Sequence, residues 1–211
     1  MNGNWYTATY VGSGNPIYQN PNYPTRFRMT DGTTLGATAD WTYGPAADAY
    51  DVIANTLTPA GRKSIMTGTV TVNTQSPKDD AEHTITFVDP LDASGATLVK
   101  TGLGTLAFNN PAEYPSQFNN LTVNAGEVVF NAAPTLSGTL NIASADTAVR
   151  LASGIGAEWT NVATASDITG PGGATAWNNP SYSFQIVDNG ATKTLQCRTY
   201  QAPDGMIIIA L

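Results

Sequence analysis

An all-β solenoid, in which short strands stack on one another in successive coils, is the fold this sequence predicts, and three observations predict it. One strand-and-turn unit is written twice. Thr97-Leu-Val-Lys-Thr-Gly-Leu-Gly-Thr-Leu-Ala-Phe108 is followed by Asn119-Asn-Leu-Thr-Val-Asn-Ala-Gly-Glu-Val-Val-Phe130, so that Gly104, Leu106 and Phe108 superimpose on Gly126, Val128 and Phe130. Weaker copies flank the pair, Gly68-Thr-Val-Thr-Val72 upstream and Gly138-Thr-Leu-Asn-Ile142 downstream. Composition agrees: 12% of residues are charged against 41% hydrophobic, and 20 Gly and 13 Pro punctuate short Thr- and Asn-rich runs, which is β-rich and not disordered. A unit this short cannot bury its own apolar face, so it must stack on its neighbours.

Residues 1–24 read as an extended arm or cap, because Asn15-Pro, Asn20-Pro and Tyr23-Pro each push the preceding residue towards extended geometry. The chain is dense in aromatic residues from Trp5 to Tyr50; a layer of bulky rings covering the open end of the first coil accounts for them. Residues 25–152 form the predicted solenoid. Its early strands are Arg26 to Met29, Thr34-Leu35, Ala39 to Tyr43, Ala49 to Ile53, Ser64 to Met66, Gly68 to Val72 and His83 to Val88, each bounded by Gly, Pro, Asn or Asp. Only Pro45 to Asn55 has a pattern compatible with one turn of helix.

In the central block, strict alternation places Leu98, Leu103, Leu106, Phe108, Leu121, Val123, Val128, Phe130, Leu140, Ile142, Val149 and Leu151 inward and their polar neighbours in solvent. Asn109, Asn110, Asn119, Asn120, Asn124 and Asn131 fall at the corners, where Asn tolerates left-handed geometry and its amide can bond from coil to coil. Residues 153–211 read as an irregular excursion that closes with strands at Ser183 to Val187, Thr194 to Arg198 and Met206 to Leu211. The run Ile207, Ile208, Ile209 must be buried or paired with another chain, since an exposed apolar edge invites aggregation.

The run from Leu98 to Phe108, with Leu121 to Phe130, resembles the autotransporter-associated β-strand repeat, also called the passenger-associated transport repeat. Lys100, Gly102, Gly104, Leu106, Val123 and Gly126 are the positions that carry the resemblance, best over residues 97–131. It implies a right-handed parallel β-helix in a secreted or surface-displayed bacterial protein. The C-terminal membrane barrel of autotransporters has no counterpart in the sequence, and the repeat is a scaffold that names no active site.

Chemistry has few footholds. His83 is the lone histidine, and no nucleophile can be placed beside it. Cys197, the lone cysteine, lies in an alternating strand and reads as a small buried hydrophobe. Lys78-Asp-Asp-Ala-Glu-His83 lacks the Gly and distal Glu of an EF-hand loop; it reads as a solvated turn, with a weak Ca²⁺ site at Asp79, Asp80 and Glu82 as the sharper alternative. Asp89 with Asp92 or Glu127 are the carboxylates that could be considered for glycan cleavage, and nothing singles them out. The glycines of Gly102-Leu-Gly104 and Gly170-Pro-Gly-Gly173 precede neither a helix nor a Lys-Ser/Thr pair, which excludes a phosphate loop. We therefore expect no catalytic residue, no cofactor and no metal.

A net charge of −7 disfavours nucleic acid and anionic membrane as partners. Residues 1–24 lack the basic and apolar regions of a leader, and no apolar run is long enough to cross a bilayer; the reading is an extracellular or cell-surface protein whose leader has been removed. The expected function is a non-enzymatic structural building block of a surface layer, matrix or filament. It would self-associate or join neighbouring repeat modules through its ends or arm, with Ile207 to Ile209 as an end-to-end strand contact. The competing expectation is a carbohydrate-binding or adhesive module that presents Trp5, Tyr6, Tyr10, Tyr18, Trp41, Tyr43, Trp159 and Trp177, rings that could equally meet another subunit.

Overall fold

A computed structural model describes residues 5–7, 28–43, 64–110 and 115–201, the first three as backbone. Tyr10, Tyr18, the 49–53 strand, the turn of helix at 45–55 and Ile207 to Ile209 lie outside the described residues.

The chain alternates between two parallel sheets, and each circuit adds one strand to each. The first sheet receives β1 (Trp5–Thr7), a short β2 (Arg28–Met29) and β3 (Thr33–Gly36), after which β4 (Trp41–Tyr43) enters the second. The next circuits are β5 (Ser64–Asn73) with β6 (Thr84–Phe87), β7 (Leu91–Thr101) with β8 (Thr105–Phe108), β9 (Gln117–Val123) with β10 (Glu127–Phe130), and β11 (Thr139–Ile142) with β12 (Ala148–Leu151). Strand order is β1-β3-β5-β7-β9-β11-β14 in the first sheet, with β2 also on β5, and β12-β10-β8-β6-β4 in the second; β14 is Asp167–Thr169. All of these pairings are parallel.

Register follows the duplicated unit: Leu106 pairs with Val128 and Phe108 with Phe130. The inward column of the first sheet runs Val70, Leu98, Leu121, Leu140, Ile168, so like side chains lie over like. In the second sheet Phe87, Phe108 and Phe130 form a pile, with centroids 5.7 and 5.3 Å apart and rings within 14° and 13° of parallel. All three are buried, and each such contact adds about 0.5–1.5 kcal/mol beyond the area it removes from water.

The long strands β5, β7 and β9 are bent, with register shifts between Ile65 and Thr67 and between Ala93 and Thr97. Before the bend, Met29, Met66, Ala93, Phe118 and Leu136 make a further buried row. The segments Ser64 to Met66 and Gly68 to Val72, expected as separate strands, are thus one strand carrying Gly68 at φ 69°.

Three expectations are corrected. Leu103 is 56% exposed, because it sits between Gly102 and Gly104 in the corner, where strand alternation has ended; Leu151 is only partly buried. None of the six corner asparagines has a positive φ, whereas Gly68, Gly102 and Gly126 do; Asn110, Asn119, Asn120 and Asn131 use their side-chain amides to bond to other segments. Of the region 153–211, the described part, to residue 201, is more regular than expected. β13 (Thr160–Ala165) and β14 continue the circuits, with a parallel bridge from Thr135 to Thr164 and β14 on β11.

β13 then pairs antiparallel with β17 (Lys193–Thr199), which pairs with β16 (Tyr182–Asp188), and that with β15 (Ala176–Asn178). Phe184, Leu195 and Cys197 from this four-stranded sheet join the same core as the parallel strands. A closing sheet therefore occupies the β13 edge of the last circuit. No helix among the described residues is long and apolar enough to cross a membrane.

Candidate functional site

The most elaborate polar construction lies at the corner between β7 and β8. Lys100 shares the parity of Leu98 and points inward, fully buried, which corrects the expectation that polar neighbours of the inward row meet solvent. Its ammonium donates to the carbonyls of Thr101 (3.1 Å), Gly102 (2.6 Å) and, one circuit on, Ala125 (2.9 Å). Burial pushes its pKa down to about 8, opposed by the carboxylates of Glu127 and Glu82. The amine thus ties one corner to the next.

The glycines make this corner possible. A Cβ on Gly104 would lie 2.1 Å from the carbonyl oxygen of His83, and one on Gly126 would lie 2.4 Å from the carbonyl oxygen of Gly104. Successive corners therefore touch backbone to backbone. Lys100, Gly102, Gly104 and Gly126 are four of the six positions that carried the sequence resemblance, and each has a mechanical role here.

Other polar side chains also join circuits. Glu127 accepts from Arg150 Nε (2.5 Å) and Nη2 (3.0 Å), a two-pronged pair from β10 to β12 that holds the guanidinium above its usual pKa. Asn110 donates to the carbonyls of Val88 and Asp89 (3.2 and 2.7 Å) and accepts from Ser116 (2.6 Å). Asn131 donates to the Asn110 carbonyl, and Asn119 and Asn120 bond side chains on neighbouring circuits. The Asn110–Ser116 pair also lines a cleft with Phe108, Phe118 and Phe130, so the polar atoms there are already engaged with the fold.

The residues considered for chemistry are dispersed. Asp89 is buried ahead of β7, Asp92 accepts from Ser94 on β7, and Glu127 lies on the other parallel sheet with Arg150. Lys78, Asp79 and Asp80 form an exposed turn. The Asp79 carboxyl is held below the usual carboxylate range by a hydrogen bond with Ser76 and then by the Ala81 amide. No three His, Cys, Asp or Glu side chains converge among the described residues. The thiol of Cys197 is buried, its pKa pushed up to about 12 by desolvation, so it is held as a thiol.

The aromatic candidates are partnered. Tyr43 is 6% exposed, which removes it from any sugar-stacking platform. Trp41 packs against Tyr43 and Phe87, Trp177 stacks on Phe184 at 5.2 Å, and Trp159 carries the Arg198 guanidinium 4.4 Å above its ring. The side chains of Trp5 and Tyr6 lie outside the described structure, although their backbone in β1 pairs with β3. Against this geometry, no family model, curated protein or solved structure matches the chain.

Proposed function

We propose that this chain is a right-handed parallel β-helix of the autotransporter-associated repeat type and serves as a non-enzymatic structural element of a secreted or cell-surface assembly. One observation carries the reading: the lysine of the repeat and polar side chains around it are engaged between circuits. Lys100 bridges two corners through three carbonyls, and Glu127 with Arg150 links two strands of the second sheet. A side chain so engaged holds the scaffold in register and is not available for turnover.

Assembly has a direction in this reading. At the C-terminal end β17 already occupies the edge of β13. At the other end β1 adds in parallel to β3, with Trp5 opposite Thr34 and Thr7 opposite Gly36. An arm that adds a strand to its own first circuit can add it to that of another copy, the general logic of strand exchange. The occupied faces of Trp41, Trp159 and Trp177 favour this role over sugar binding.

Sedimentation velocity across a concentration series tests it. The expected result is self-association that is lost on deletion of residues 1–24. A particle that stays monomeric at every concentration, or one whose association survives that deletion, contradicts the proposed assembly.

A further inference from the structure

The outer face of the first parallel sheet carries two adjacent columns of small uncharged side chains. One column is Thr69, Thr97, Asn120 and Thr139; Thr97 pairs with both Thr69 and Asn120, and the Thr139 amide donates to the Asn120 side chain. The other is Thr71, Val99, Thr122 and Asn141, paired in that order, with Thr34 before it and Thr169 after. Every member is exposed or half-buried. The two columns hold no charge from Thr34 to Asn141, in a chain with 16 acidic and 9 basic residues. Charge enters only at the two ends: Asp31, whose carboxylate accepts from the Thr69 amide at 2.8 Å, stands before the first column, and Asp167, paired with Lys193 at 2.6 Å, follows Thr139 on the last strand.

Backbone geometry sets the spacing. Neighbours in a column are about 4.8 Å apart, and the columns are separated by two residues of strand, about 6.7 Å. The side chains are also held: Asn120 Nδ2 donates to Thr97 Oγ1 (3.2 Å) and Thr139 Oγ1 to Asn120 Oδ1 (3.1 Å), so one column is a continuous ladder over three strands. Hydroxyls, amides and methyls thus recur on a fixed two-dimensional grid whose repeats are close to those of oxygen atoms on a prism face of hexagonal ice.

We propose that this face binds ice. Ice is a neutral, periodic array of donors and acceptors, and this surface is neutral, periodic and fixed before contact, so little side-chain entropy is lost on binding. Threonine methyls order the water between the hydroxyls, whereas charged groups would hold water in an arrangement foreign to the lattice. Polysaccharide fits less well, because from Thr34 to Asn141 neither column contains an aromatic residue, and Trp5 pairs with Thr34 only at the edge of the face.

The test uses the full chain and ice itself. Thermal hysteresis, crystal faceting and partition of fluorescently labelled protein into a growing ice hemisphere would be measured for the native protein, for Thr122→Tyr in the middle of the face, and for Thr86→Tyr on the outer face of the second sheet. The native protein and Thr86→Tyr are expected to facet ice and enter it. Thr122→Tyr is expected to lose most of both effects while keeping the native circular dichroism spectrum and melting temperature. Should Thr122→Tyr not fold, Thr122→Val and Thr97→Lys replace it, the first retaining part of the activity and the second little. Exclusion of the native protein from ice would overturn the proposal, as would an active, folded Thr122→Tyr. Retention on crystalline cellulose or chitin without any effect on ice would overturn it in favour of a neutral polysaccharide.

Discussion

The parallel circuits and the closing antiparallel sheet share one core but fill it by different rules. In the circuits like lies over like: Leu98 on Leu121 on Leu140, and Phe108 on Phe130. In the closing sheet unlike residues meet, Phe184 opposite Cys197 and Ile186 opposite Leu195. Self-stacking requires repetition in sequence, and repetition ties every substitution to two neighbouring rungs. Antiparallel pairing requires none, so the closing sheet can be irregular in sequence and still seal the end.

The sharpest way to break this comparison is to truncate one ring in each region. Phe108→Ala removes the middle of the Phe87–Phe108–Phe130 pile, stacked on both sides, and is expected to destabilise by about 4–5 kcal/mol, against about 3–4 kcal/mol for Phe184→Ala, which loses the single stack on Trp177. Urea denaturation monitored by circular dichroism checks it. Equal losses would mean that the second stacked ring of the pile adds nothing.

Glycine substitutions come next. Gly104→Ala sets a methyl against the His83 backbone and is expected to cost about 3 kcal/mol. Gly190→Ala in the β16–β17 turn, at φ 87° with open space around it, is expected to cost about 1 kcal/mol, the conformational penalty alone. A cheap Gly104→Ala, read in the same denaturation assay, would show that the corners are not in backbone contact.

Lys100→Met keeps the volume but strands carbonyl groups, at an expected cost of about 2 kcal/mol near neutral pH. Its pH dependence sharpens the point. Below pH 8 the lysine is protonated in both states and the native chain gains nothing from pH. Between about 8, the folded value, and about 10.4, the unfolded one, the unfolded chain keeps a proton that the folded chain has released, so native stability rises with pH. The native chain should therefore pull further ahead of Lys100→Met between pH 7.5 and 10. A gap that stays flat up to pH 10 would mean that the three carbonyls favour the ammonium at least as much as burial opposes it.

The smallest expected effect is chemical. The Cys197 thiol, buried with its pKa pushed up to about 12, should react with a disulfide reagent at pH 8 only as fast as the closing sheet opens. Immediate labelling of the native protein would show that the sheet does not cover it.

What could be read from the sequence follows the same division. The pairing of Leu106 with Val128 and Phe108 with Phe130 was visible because a parallel in-register stack writes its register as a repeat. Cys197 was readable from alternation. The inward turn of Lys100 was encoded in its parity with Leu98, but a charge is not expected inside until the carbonyls that receive it are seen. Leu103 was misplaced because alternation was carried through a corner. β13 and β14 were missed because Thr160-Asn-Val-Ala-Thr-Ala165 carries no turn glycine and few bulky residues, and its strand character comes from the edges it joins. The Thr and Asn columns were present as the triplets Thr69-Val-Thr71, Asn120-Leu-Thr122 and Thr139-Leu-Asn141. Only the register shows that they align.

The most direct test of the account is the nuclear Overhauser pattern between residues 105–108 and 127–130. The circuits predict amide-to-α-proton contacts of parallel strands, with Leu106 beside Val128 and the Phe108 ring against that of Phe130. Close α-proton pairs across those segments, the mark of an antiparallel hairpin, would contradict it.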